Sequence, residues 1–180
     1  MEIKINTQQI LKFLHILSWI LFLGLCVEAG SFIFNAIFTL AYNPNGAGYF
    51  GLTNLYEYDY GYFLVALLVL SIPAIMKAIL FYLIVIILQN NKLDITQPFN
   101  KEMGRFMFNV CYLAFGIGLF SFCSINYTEW LTQQGVEMPE IEHLHIDGAD
   151  VWLFMSVIFY VIAQIFKRGI EIQSENELTI

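Results

Sequence analysis

Two charged residues sit inside runs that are otherwise apolar enough to cross a membrane: Glu28 in "WILFLGLCVEAGSFIFNAIF" and Lys77 in "LVALLVLSIPAIMKAILFYLIVIIL". A lone charge at the bilayer centre costs about 2.5–3.5 kcal/mol on insertion scales, so two of them are expected to meet. A short connection makes the first two helices antiparallel, and the depths of Glu28 and Lys77, counted from Leu40 and Tyr62, differ by only about 4 Å at the helical rise. The pattern therefore predicts a buried ion pair. Such a pair could fix the register between two helices, or it could line a polar pathway for an ion, a proton or a small ligand. Pro73, one turn before Lys77, predicts a kink, because the carbonyl of Val69 loses its helical partner. Ser71 is placed to satisfy that carbonyl, and Asn109 and Gln164 offer further polar groups on other helices.

A second cluster lies in "EMPEIEHLHIDGAD". In an extended segment residues two apart share a face, so His143 and His145, with Asp147 as third donor, could hold a divalent metal. The plainer reading is a pair of solvated histidines in an acidic loop. The three cysteines, Cys26, Cys111 and Cys123, show no CxxC spacing and read as small hydrophobes. Nothing resembles a phosphate loop or a nucleophile elbow, and no nucleophile, base and orienting group share a depth. Neither an enzymatic activity nor a cofactor is expected.

The elements that must carry these residues follow from composition. The chain has 180 residues, 58% of them hydrophobic, and a mean hydropathy of +0.66, too apolar for a soluble domain. Four stretches have the length and character of spanning helices, at about 14–40, 63–88, 106–125 and 150–168. The fold class is thus an all-α polytopic membrane protein, a single four-helix bundle with a tail at 169–180. The first apolar run is too long for a signal peptide and no cleavage box follows it, so processing is not expected.

Lys4, Lys12, Lys92, Lys101, Arg105, Lys167 and Arg168 all fall on one side of these spans, whereas 41–62 and 126–150 hold no lysine or arginine but eight carboxylates. By the positive-inside rule both termini face the cytoplasm, with two acidic loops outside. The formal net charge of −7 argues against direct nucleic-acid binding. The alternation in "YEYDYGYF" reads as a short strand or extended interfacial segment, and Tyr42, Tyr62, Trp130 and Trp152 fall where an aromatic belt is expected. Asn100 is placed to cap the third span, and Ala114 and Gly118 give it a small surface for close helix approach. The bilayer is one partner, and self-association into a homo-oligomer stays open.

The segments "KLDITQPFN" and "IAQIFKRGIEIQSENELTI" resemble a bacterial membrane-protein family defined as domain of unknown function 2975. The family pattern is a basic turn with Pro-Phe before the third span, then phenylalanine, a basic pair and glycine, with Glu-Asn and Leu-Thr-Ile following. Here these are Pro98, Phe99, Phe166, Lys167, Arg168, Gly169, Glu175, Asn176, Leu178, Thr179 and Ile180. The resemblance implies a four-span protein of the bacterial inner (cytoplasmic) membrane, and it suggests a signalling or accessory role with a cytoplasmic helix-turn-helix regulator. Pro98, Phe99, Lys167, Arg168, Glu175 and Asn176 are then the candidate partner-binding residues. The other reading is a small transporter or ion-responsive protein that uses Glu28 and Lys77. The acidic tail, with Glu171, Glu175 and Glu177, is expected to fold back against Lys92, Lys101 and Arg105.

Overall fold

The computed structural model describes residues 7–89 and 99–177. Within them the chain is all-α: α1 (Thr7–Ala41), a 3-10 turn (Pro44–Phe50), α2 (Thr53–Tyr58), α3 (Tyr60–Gln89), α4 (Lys101–Gln133) and α5 (Ala149–Glu177). The four long helices have the length and apolar character to cross a membrane. They contain 35, 30, 33 and 29 residues. At about 1.5 Å per residue each exceeds the roughly 30 Å hydrocarbon core, so they must tilt or extend past it.

Packing follows chain order. Helix α1 lies on α3, α3 on α4 and α4 on α5, and among the described residues the backbone of α1 approaches neither α4 nor α5. Loops fill what the helices leave open. At the end carrying the acidic loops, Phe32 of α1 stacks on Phe50 of the 3-10 turn at 4.3 Å, and Leu52, Leu55, Phe63, Leu131, Leu144 and Ile146 complete one core. A second core joins Leu80 of α3 to Val110 and Ile117 of α4, with Trp152 and Phe159 of α5 against it.

The expected small surface on α4 does bring two helices together. A Cβ on Gly118 would lie 2.7 Å from Leu153 Cγ, and Ala114 is fully buried. Asn100 caps α4 as its type predicts, its side chain accepting from the Met103 amide at 2.7 Å.

Two expectations are overturned here. The alternating "YEYDYGYF" segment is helical rather than extended: α2 ends at Tyr58, and Asp59 bends the chain with φ −159° and ψ 123°. Its carboxylate then accepts from the Tyr62 amide at 2.9 Å, opening α3. Local capping and the packing of Tyr56 on Phe63, ring to ring at 5.2 Å, outweigh the period-two pattern. The second concerns Pro73. Ser71 does not serve the Val69 carbonyl; it donates to Leu68 at 2.9 Å. Ser124 of α4 donates to Val69 O at 3.2 Å, sharing its proton with Phe120 O. The proline thus frees an acceptor that ties α3 to α4. Asn109 and Gln164 are exposed on their helices.

The C-terminal stretch, expected as a tail that begins at 169 and folds back, is instead part of the last helix as far as 177. Helix α5 continues unbroken through Lys167, Arg168 and Gly169 to Glu177. It docks on the start of α4 through apolar contact. Phe99 packs tilted against Phe166, ring centroids 5.4 Å apart, a Cβ on Gly169 would run into the Phe99 ring, and Ile170 covers Gly104. Within this stretch Glu171 pairs with Arg168 of its own helix at 3.0 Å. Lys92 and Pro98 lie outside the described residues.

Candidate functional site

Glu28 and Lys77 approach one another, but not as a direct pair. Between them stands His145, from the segment that joins α4 to α5. The Lys77 ammonium donates to the His145 carbonyl at 2.8 Å, and the His145 imidazole Nδ1 lies 3.6 Å from Glu28 Oε1. That second distance is too long for a good hydrogen bond, so it is an electrostatic contact when the ring carries a proton. Nor is the site sealed. Glu28 keeps 23% of its side-chain surface accessible and His145 keeps 58%; among the described residues no charged side chain is fully buried. The predicted buried ion pair is therefore replaced by a three-residue bridge in which a loop carbonyl accepts a charge-assisted hydrogen bond from the lysine. Paired with each other, both charges would have to be desolvated together; partnered by a loop, each keeps some water.

The segment reaches this depth because of its own sequence. Gly135, with φ 89°, turns the chain out of α4, and the amide of Val136 returns to Leu131 O at 3.2 Å. Asn54 of α2 donates to Glu137 at 3.0 Å. Successive turns over 140–145 then drive Leu144 and Ile146 into the core, where each is 1% exposed. Between these anchors His145 adopts φ 55°, the left-handed region that side chains other than glycine rarely enter. Two buried flanking side chains hold it there, and the strained conformation aims its carbonyl at Lys77.

By the helical rise, Glu28 is about 20 Å from the loop end of α1 and Lys77 about 18 Å from the opposite end of α3. The bridge thus lies well within the helical layer. Pro73, buried one turn before Lys77, frees the Val69 carbonyl that takes the α3–α4 tie from Ser124, two turns along α3 from Lys77.

His143 and His145 do share one cavity of about 540 Å3, with Tyr49, Pro139 and Glu142 in its wall, but Asp147 is not part of that wall. Among the described residues no three His, Cys, Asp or Glu side chains converge on a metal-sized site. Phe99, Phe166 and Gly169 come together as the clasp described above. Lys167, Arg168 and Glu175 are exposed, and Asn176 belongs to the last turns of α5.

In the sequence His145 reads as a solvated or metal-binding histidine, and Asn35, Thr39 and Ser124 do not stand out. A signal for His145 is present in "HLHID": Leu144 and Ile146 are apolar residues two apart in an acidic loop, the mark of a segment anchored on one face. Asn35 and Thr39 are four apart in an apolar helix, one turn's spacing, and bond to each other at 3.1 Å.

Comparison with family models, with curated proteins and with solved structures found no match for this chain.

Proposed function

We propose that this chain is a non-enzymatic signalling or accessory protein of the bacterial cytoplasmic membrane, in which the segment 134–148 is the receiving element and the docked end of α5 is the output. One observation carries the reading. A loop is held inside the helical layer by two charged groups while one of its own residues is strained, the construction expected of an element with two arrangements of similar free energy. Releasing the loop would uncover Lys77 and Glu28 together, so whatever binds the released form has a large electrostatic lever. The charge asymmetry supports an outward-facing loop and a cytoplasmic α5 end. The family resemblance supports a cytoplasmic regulator as the partner, reached through Phe99, Lys167, Arg168, Glu175 and Asn176.

Coupling between the two ends is the test. In membranes carrying the full chain, Lys77→Met should raise cysteine-reagent access to a reporter at position 143, and should also change protease protection of 169–177 at the opposite end. Access that rises with no change at the α5 end would remove signalling as the role.

A second reading is favoured by the three ionisable groups that meet at Glu28, Lys77 and His145, since such residues within membrane helices often mark an ion or proton route. Reconstituted vesicles separate the two. Joint replacement Glu28→Gln with Lys77→Met should abolish a transport current, whereas a protein without transport activity shows none in either form.

A further inference from the structure

Three cations gather on one side of the α4–α5 pair, at the end of the spans opposite the acidic loops. On α4, Lys101, Arg105, Phe108 and Tyr112 recur at helical spacing and therefore share a face. On α5, Tyr160 and Lys167 are two turns apart and share a face in the same way. The two faces adjoin, because the Phe108 and Tyr160 rings meet edge to face with centroids 6.3 Å apart. The helices run antiparallel here, with Ile170 against Gly104. Lys101 and Lys167 thus each lie about 10 Å from that ring contact toward the same end, with Arg105 between. All three cationic side chains are exposed.

The carboxylates of this end are set apart from that line. Glu102 is a step of about 100° round α4 from Lys101. Glu171 lies one turn further out than Lys167 and is bonded to Arg168 at 3.0 Å, and Glu175 lies a further turn out. In the other direction, deeper along the spans, the surface is aromatic: Tyr112 and Tyr160 keep 63% and 48% of their area accessible. Both helices have the length and apolar character to cross a membrane, so this aromatic floor falls where the hydrocarbon gives way to head groups. An occupant must then be anionic at one end and apolar about 10 Å deeper. A soluble anion makes no use of the floor, and a zwitterionic lipid brings an ammonium that the three cations repel.

We propose that this face binds an anionic phospholipid, with Lys101, Arg105 and Lys167 on the head-group phosphate and the acyl chains over Phe108, Tyr112 and Tyr160. Diphosphatidylglycerol, which carries two phosphates on one head group, matches three cations spread over two helices best. The site stands apart from the loop-to-α5 coupling proposed above and does not depend on it.

Native mass spectrometry of the purified full-length chain tests the proposal, with diphosphatidylglycerol, phosphatidylglycerol and phosphatidylethanolamine of the same acyl composition offered in separate arms. Retention is expected to fall in that order. Lys101→Gln combined with Arg105→Gln should weaken retention of diphosphatidylglycerol about tenfold, and Lys167→Gln alone about fivefold, with phosphatidylethanolamine unaffected. Lys12→Gln removes a cation of the same end from α1, which approaches neither α4 nor α5 among the described residues, and should leave retention as in the wild type. All four side chains are exposed, so these replacements keep the fold. A loss in Lys12→Gln equal to that in Lys167→Gln would mean that net charge, not this face, attracts the lipid. Equal retention of the three lipids by the wild-type chain would leave the face to an acidic polypeptide. Either result overturns the proposal.

Discussion

The Lys77 ammonium and the His145 backbone carbonyl, 68 residues apart in the chain, lie 2.8 Å from one another. A loop carbonyl thus gives a hydrogen-bond acceptor to an ammonium that the helix sequence alone leaves without one.

Replacing Lys77 by methionine keeps the stem and removes the charge, so the His145 carbonyl loses its donor. The loss of one charge-assisted bond at a half-buried site is worth about 1–2 kcal/mol. Amide hydrogen exchange at 143–146 should accelerate roughly tenfold, with exchange along α4 unchanged. Glu28→Gln should have a smaller effect, because its contact with His145 at 3.6 Å is not a hydrogen bond. Equal effects from the two variants would mean that the imidazole, not the carbonyl, holds the segment.

His145 separates backbone from side-chain contributions. Because its φ is 55°, His145→Gly should relieve strain of about 1 kcal/mol while preserving the carbonyl bond to Lys77, and His145→Val should destabilise, since a β-branched residue tolerates that region worst. Thermal unfolding in detergent would rank them glycine, wild type, valine. A valine variant as stable as wild type would show that the segment can settle with a different backbone.

Ser124 and Pro73 should be energetically coupled. Ser124→Ala leaves the Val69 carbonyl without a donor, costing about 1 kcal/mol, but Pro73→Ala restores the helical amide that would satisfy it. Measured by denaturant unfolding in a double-mutant cycle, the serine replacement should therefore cost less in the Pro73→Ala background. Strict additivity would mean that the two helices are not joined through that carbonyl.

The number and order of the long helices were legible because apolar runs of this length have few alternatives to spanning. Their ends were less so. Helix α4 runs eight residues past Ile125 into "NYTEWLTQ", where Thr128 and Thr132 bond back onto helical carbonyls instead of breaking the helix. The charges at Glu28 and Lys77 stand out in their apolar runs, but the residue that both of them contact comes from a loop. Loop insertion depends on which core a few anchors such as Leu144 and Ile146 can reach, and helix-depth counting carries no information about that. The period-two reading of 56–63 failed for a related reason: tyrosines alternate with acids there, but one acid, Asp59, ends α2 and starts α3.

The clasp at the other end links the residues just before α4 to the last turns of α5. Phe99 lies so close to Gly169 that a Cβ there would run into the ring, while Phe166 flanks it at 5.4 Å. Gly169→Ala must therefore push Phe99 aside, and because the ring is 38% exposed it has room to turn outward. The expected cost is about 1–2 kcal/mol, borne locally by the docking of the last two turns of α5 on α4. Limited proteolysis should then cleave between 169 and 177 at a higher rate, with the rest of the chain protected as before. In a Phe99→Ala background the added methyl meets no ring, so Gly169→Ala should leave the cleavage rate of that background unchanged. If the alanine at 169 accelerates cleavage equally in both backgrounds, the glycine serves helix α5 itself and not its contact with Phe99.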